Sequence, residues 1–128
     1  MRALLDTHAF LWVVLNDRRL SQIAREFIAD RGNRLYFSSV GVWEIVTKWR
    51  LGKLDLSEEP GVLIPRQFSA VGIEPLPVSL EHALRGASLP LLHRDPWDRL
   101  MVAQALVEDM PMITSDRLIT QYPVQTIW

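Results

Sequence analysis

The segment "HRDPWDRLMVAQAL" at positions 93–106 sets two aspartates three residues apart, Asp95 and Asp98, around a proline and a tryptophan. Asp95 suits a helix N-cap, Pro96 the first helical position, and Asp98 the acidic third position of a capping box. A cap needs only one carboxylate. Leu100, Met101, Val102, Ala103, Ala105, Leu106 and Val107 then leave hardly any polar stripe, and a helix apolar nearly all round is a buried one. An ionised Asp98 at the start of a buried element needs a partner, either Arg94 or Arg99 in a salt bridge or a metal ion.

Two more aspartates stand where strands are expected to end. Asp6 follows the apolar run "RALL" (2–5) directly, and Asp116 follows "PMIT" (111–114) with Ser115 between. Each can also be explained as a cap for the helical turn behind it. Glu44, in "SSVGVWEIVTKWRLGK" (38–53), lies opposite the stripe of Val42, Ile45, Val46 and Trp49 and four residues before Lys48. That spacing suits a solvated Glu–Lys pair. If Asp6, Asp98 and Asp116 share one site, with or without Glu44, they cannot all stay ionised and unpaired. All-oxygen ligation suits Mg²⁺ or Mn²⁺ better than zinc. A hard cation held this way activates a water for attack on a phosphodiester. No histidine–cysteine cluster, Gly-rich phosphate loop or Ser-His-Asp spacing competes with this reading. His8 and His93 lie close to two of the acids but read as hydrogen-bonded structural residues, outside the catalytic set.

The elements that must position these acids alternate between two periods. Strands are expected at "RALL", "RLYFS" (34–38), "IEPLPV" (73–78), "MPMIT" (110–114) and "VQTIW" (124–128), with the prolines placing the third at a sheet edge. Helices are expected from about Thr7 and from about Ser21, the latter with Ile23, Phe27 and Ile28 on one face and Gly32 behind it. Others cover 38–53, which closes at Gly52, then 56–72, then 79–89 and the segment opened by Asp95, with a helical turn around 116–120. Strands alternating with helices imply βαβ units and a parallel sheet covered on both faces. Ligands of such sheets sit beyond the carboxyl ends of the strands, at a switch point. "RALL" and "PMIT" are therefore expected side by side at the centre, bringing Asp6 and Asp116 together.

The bulk numbers agree with one globular domain spanning residues 1–128. Of the 128 residues, 48% are hydrophobic and 23% charged, enough for a single core. A net charge of −1 excludes nucleic-acid binding by bulk charge alone, leaving room for a local basic face. There is no cysteine, hence no disulfide framework and no thiolate metal site, as fits a reducing cytoplasm. The apolar N-terminus is broken by Asp6 and His8, and no run approaches the roughly 20 residues of a membrane span, so a soluble, unprocessed protein is expected.

Four blocks together resemble a known family. "LLDTHAFLW" (4–12), "SSVGVWEIVTKWRLGKL" (38–54), "HRDPWDRLMVAQA" (93–105) and "ITSD" (113–116) are similar to the PIN domain, above all to the toxin nucleases of VapBC-type toxin–antitoxin pairs. The resemblance runs over essentially the whole chain. It implies a three-layer α/β/α fold around a central parallel sheet, and a quartet of Asp6, Glu44, Asp98 and Asp116 that binds Mg²⁺ or Mn²⁺ to cleave single-stranded RNA. It also implies a homodimer and a small antitoxin that holds the enzyme inactive. Thr114 or Ser115 is expected to hydrogen-bond a ligand or water. Trp12, Trp43 and Trp49 would line the antitoxin's groove or pack in the core. Lys48, Arg50, Lys53, Arg94, Arg99 and Arg117 would track phosphates or form a solvated face. Two other readings stay open: a PIN nuclease with a housekeeping role in nucleic-acid processing, and a non-catalytic α/β interaction module whose acids merely cap helices.

Overall fold

The computed structural model describes residues 1–128. The chain runs β1 (Arg2–Leu5), α1 (Thr7–Val14), α2 (Gln22–Ala29), β2 (Arg34–Ser38), α3 (Ser39–Arg50), α4 (Pro60–Val71) and β3 (Ile73–Leu76). It continues through α5 (Leu80–Ser88), α6 (Pro96–Val107), β4 (Met112–Ile113), a 3-10 turn (Ile119–Gln121) and β5 (Thr126–Ile127). All five strands are parallel, in the order β3-β2-β1-β4-β5. The chain fills one half of the sheet outward from β1 and then returns to its other side. The switch point therefore falls between β1 and β4, where Leu4 and Leu5 pair with Met112 and Ile113.

Successive side chains of a strand point to opposite faces, and here both faces are covered. Ala3 and Leu5 join Phe10, Phe37, Ile45 and Ile113 in one core, while Leu4 joins Tyr36, Met101, Val102 and Met112 in another. This is the three-layer α/β/α arrangement. Strands buried on two faces read as continuous apolar runs, which is why "RALL" shows no alternation. The short proline-bearing β3 lies at the sheet edge, as expected.

Two local expectations need correction. In α2 the residue that faces the core is Ala24, with Phe27 and Ile28 leaning on it, while Ile23 is exposed. Leu20, Ala24, Phe27 and Ile28 make the core-facing row, and Ile23 lies a helical step off it. The helix also stops at an extended Asp30, two residues before Gly32. In α3 the buried row is Val40, Gly41, Glu44 and Ile45, whereas Val42, Val46 and Trp49 are half-buried. Gly41 is the reason. A Cβ there would overlap the Phe37 ring, so its absence lets this side of α3 settle directly onto β2.

Candidate metal centre

Each acid is fixed by the element that carries it. Asp6 caps α1, one carboxylate oxygen accepting the Ala9 N–H at 2.7 Å. Its other oxygen accepts the hydroxyl of Thr114, just past β4. The Asp6 N–H itself donates to the Ile113 carbonyl at 3.1 Å, continuing the β1–β4 ladder. Thr114 in turn accepts the Asp116 N–H at 3.0 Å, so one hydroxyl ties both aspartates together. Ser115 is exposed, and Thr114 is the hydroxyl that reaches a carboxylate. Asp116 folds back to accept the Leu118 N–H at 2.9 Å.

Asp95 caps α6 through the Trp97 N–H at 2.9 Å, with Pro96 at the first turn. Asp98, three residues on, is turned toward Asp116. No arginine pairs with it. Arg99 donates instead to the carbonyls of His93 and Arg94, at 2.9 and 3.1 Å. The nearest basic group to Asp98 is His93 Nε2, 3.2 Å from one carboxylate oxygen and 2.8 Å from Asp116. Ligand atoms of His93, Asp98 and Asp116 all lie within 4.8 Å of one another. His93, expected as a hydrogen-bonded residue outside the catalytic set, is hydrogen-bonded and also stands directly against the two aspartates. The sequence signal that could have found it is its spacing, two residues before the capping Asp95 and five before Asp98.

Glu44 makes its expected pair with Lys48, at 2.6 Å, but the pair is not a solvated one. The glutamate is 4% exposed, and its second oxygen accepts the Thr7 hydroxyl at 2.7 Å. The ridge that Gly41 packs down is the one carrying Glu44, which turns it inward. Lys48 has Asp95 and Asp98 in reach as well as Glu44. Burial works against its ammonium, and the hydrogen bond and charge of Glu44 outweigh it, so its pKa is raised.

The electrostatics show how crowded the site is. Burial, and then the charges of Asp95, Glu44, Asp6 and Asp116, push the Asp98 carboxyl up to about 8. Burial also raises Asp6, against the hydrogen bonds from Thr114 and Ala9. Asp98 and Asp116 offer ligand atoms within 4.8 Å of one another, and Asp95, Glu44 and Asp6 act on Asp98 through their charge, an excess of negative charge that a hard divalent cation would neutralise. The donor set is oxygen-rich, which fits Mg²⁺ or Mn²⁺.

The family model for the PIN domain matches residues 3–124. The chain belongs to the PIN domain family. No curated protein sequence matches it closely enough to be called a relative. Solved structures share the fold of this PIN domain at low identity. The VapBC2 complex from Rickettsia felis bound to a promoter DNA fragment aligns at 15% identity with a TM-score of 0.69, covering 98% of this chain and 97% of that one. DNA-bound VapBC from Salmonella typhimurium aligns at 16% identity and 0.68, covering 98% and 96%. A toxin–antitoxin complex from Klebsiella pneumoniae aligns at 17% identity and 0.65, covering 94% and 92%.

Around the acids of this PIN domain the remaining expected residues divide. His8 is exposed and tilts against Trp12. Trp12 packs against the first core and Trp128, and Trp49 is half-buried. Trp43 is 66% exposed and leans on Trp97. Arg50, Lys53, Arg94 and Arg117 are exposed, while Arg99 is spent on holding the His93–Arg94 loop. No helix is long and apolar enough to cross a membrane.

Proposed function

We propose that this PIN domain is a metal-dependent endoribonuclease that cleaves single-stranded regions of RNA as the cytoplasmic toxin of a VapBC-type pair. In this reading it forms a homodimer and is silenced by a cognate antitoxin. The observation that carries the reading is the approach of Asp98, in the first turn of α6, to Asp116, whose loop after β4 is tied through Thr114 to Asp6 at the end of neighbouring β1, with Asp98 pushed to about 8. The likeness of the fold to chains of toxin–antitoxin complexes supports the partner.

Asp6, Asp98 and Asp116 would hold Mg²⁺ or Mn²⁺, with Glu44 at the edge of the set. The ion, when bound, supplies Lewis acidity to a water and to phosphate oxygens. The protein supplies rigidity: both Asp6 oxygens and Asp116 Oδ1 are tied to backbone N–H or O–H donors before any ligand arrives, and Asp116 Oδ2 rests against the His93 ring. Lys48 adds a fixed positive charge beside Glu44, and the exposed Arg94, Arg117 and Lys53 are free to meet the RNA backbone.

End-group analysis of cleaved RNA tests this. Products should carry a 5′-phosphate and a 3′-hydroxyl, since the site offers carboxylates and no pair of histidines to activate a 2′-hydroxyl. Cleavage should need Mg²⁺ or Mn²⁺, stop with EDTA, and fail with Ca²⁺, whose looser shell positions water poorly. A 2′,3′-cyclic phosphate, or cleavage that persists in excess EDTA, rules the mechanism out. Co-expression with a small antitoxin encoded beside it tests the toxin role: the pair should co-purify and RNA cleavage should be suppressed. If metal shows no saturable binding, the interaction-module reading takes over.

A further inference from the structure

His93 lies 8% exposed in the loop before α6, and every polar group it has is engaged. Its N–H donates to the Tyr122 hydroxyl at 3.0 Å, and that hydroxyl donates to the Pro90 carbonyl at 2.7 Å. Its carbonyl accepts from Arg99 at 2.9 Å. On the ring, Nδ1 is 3.1 Å from the backbone N–H of Asp95, and Nε2 is 2.8 Å from an Asp116 carboxylate oxygen.

The ring contacts decide the tautomer. A backbone amide can only donate, so Nδ1 must present its lone pair and carries no proton. The proton of the neutral ring then sits on Nε2 and points at Asp116. A nitrogen that carries that proton has no lone pair for a metal. The histidine therefore stands beside the two aspartates without being able to ligate as they do. Asp98 lies 3.2 Å from the same nitrogen but accepts no hydrogen bond from it, so Asp98 stays free to turn onto a cation while Asp116 is held.

We propose that His93 is a positioning residue, an Nε2–H donor that clamps the Asp116 carboxylate and sets its distance from Asp98 before a cation arrives. The clamp joins two parts of the chain that no strand pairing connects, the start of α6 and the loop after β4. Asp95 therefore has two jobs: its side chain caps α6, and its amide fixes the tautomer of the ring. Outer partners that orient ligating side chains are worth roughly 10- to 100-fold in metal affinity. The inference rests on the reading that Asp98 and Asp116 hold a divalent cation.

Two conservative replacements separate positioning from mere folding. His93→Gln places an amide N–H near the Nε2 position and gives up the Nδ1 acceptor. His93→Asn keeps an acceptor near Nδ1 and gives up the donor to Asp116. Mn²⁺ affinity of the purified full-length protein, read by the free-ion paramagnetic resonance signal, should fall roughly 10- to 100-fold in His93→Asn and largely recover in His93→Gln. Thermal melting in EDTA reports separately whether each variant folds. Pulsed resonance on the Mn²⁺-loaded wild type should show no directly bound nitrogen. Recovery by Asn instead of Gln, wild-type affinity in both variants, or a nitrogen bound to Mn²⁺ would each overturn the inference while leaving the nuclease reading intact. A wild type with no saturable Mn²⁺ site overturns both.

Discussion

At the residue scale, Asp95 and Asp98 illustrate how one turn of helix separates a structural carboxylate from a chemical one. Asp95→Ala removes a cap and should cost about 1 kcal/mol of stability, seen as a lower midpoint in denaturant, with cleavage largely kept. Asp98→Asn should abolish cleavage without lowering the melting temperature. The pH dependence follows from the same crowding. Folded Asp98 holds its proton up to about 8, whereas an unfolded aspartate releases it near its ordinary 3.8. Between those values the native state binds the extra proton, so metal-free stability should fall as pH rises from roughly 4 to 8. Thermal melts in EDTA across this window should slope downward for the wild type and less steeply in Asp98→Asn, where the buried Asp6 still holds a raised carboxyl. Mn²⁺ affinity should rise with pH over the same range, because the ion must displace that proton. Thr114→Val tests the hydroxyl that ties Asp6 to Asp116. It leaves a buried carboxylate short of a donor and should cost about 1–3 kcal/mol, measured by chemical denaturation, along with weaker Mn²⁺ binding.

At the scale of elements, α3 has the tightest seat. Gly41 faces the Phe37 ring, which is itself stacked on Phe10 at 4.3 Å in the first core and has little room to retreat. Gly41→Ala should therefore act as an overpacking change of about 1–3 kcal/mol, even though alanine is the better helix former. Melting temperature gives the cost. The folded fraction should also lose cleavage, since lifting α3 carries Glu44 and Lys48 away from the aspartates. Were Gly41→Ala as stable and active as the wild type, the close approach would not be what seats Glu44.

For the molecule as a whole, the acids come from opposite ends of the chain, and the fold must press their charges together against their repulsion. A cation should return that cost. Millimolar Mg²⁺ or Mn²⁺ should raise the melting temperature, approaching about 2.7 kcal/mol of stabilisation at a hundred times the dissociation constant. Differential scanning fluorimetry measures it, and Asp98→Asn should show a much smaller response. An equal response in the variant would mean that the ion binds elsewhere.

The order of strands and helices was legible in the sequence because most elements obey a local rule: apolar runs for strands buried on two faces, Asp6, Ser21 and Asp95 at helix starts, and Gly52 behind a helix end. The pairing of β1 with β4, and with it the approach of Asp6 to Asp116, followed from the alternation of strands and helices and the switch-point rule. Local periodicity could not decide how each helix rolls on the sheet. That is set by which side packs closest, so Ile23 turned outward beside a small Ala24, and Glu44 turned inward behind Gly41. It also could not show His93 as the ring that joins Asp116 to the start of α6, since Asp116 and His93 stand 23 residues apart and meet only through the fold. Sequence chose the chemical groups and the elements that carry them. Tertiary packing chose their directions, because burial depends on every neighbour at once, and charge crowding depends on distances that spacing along a chain does not contain.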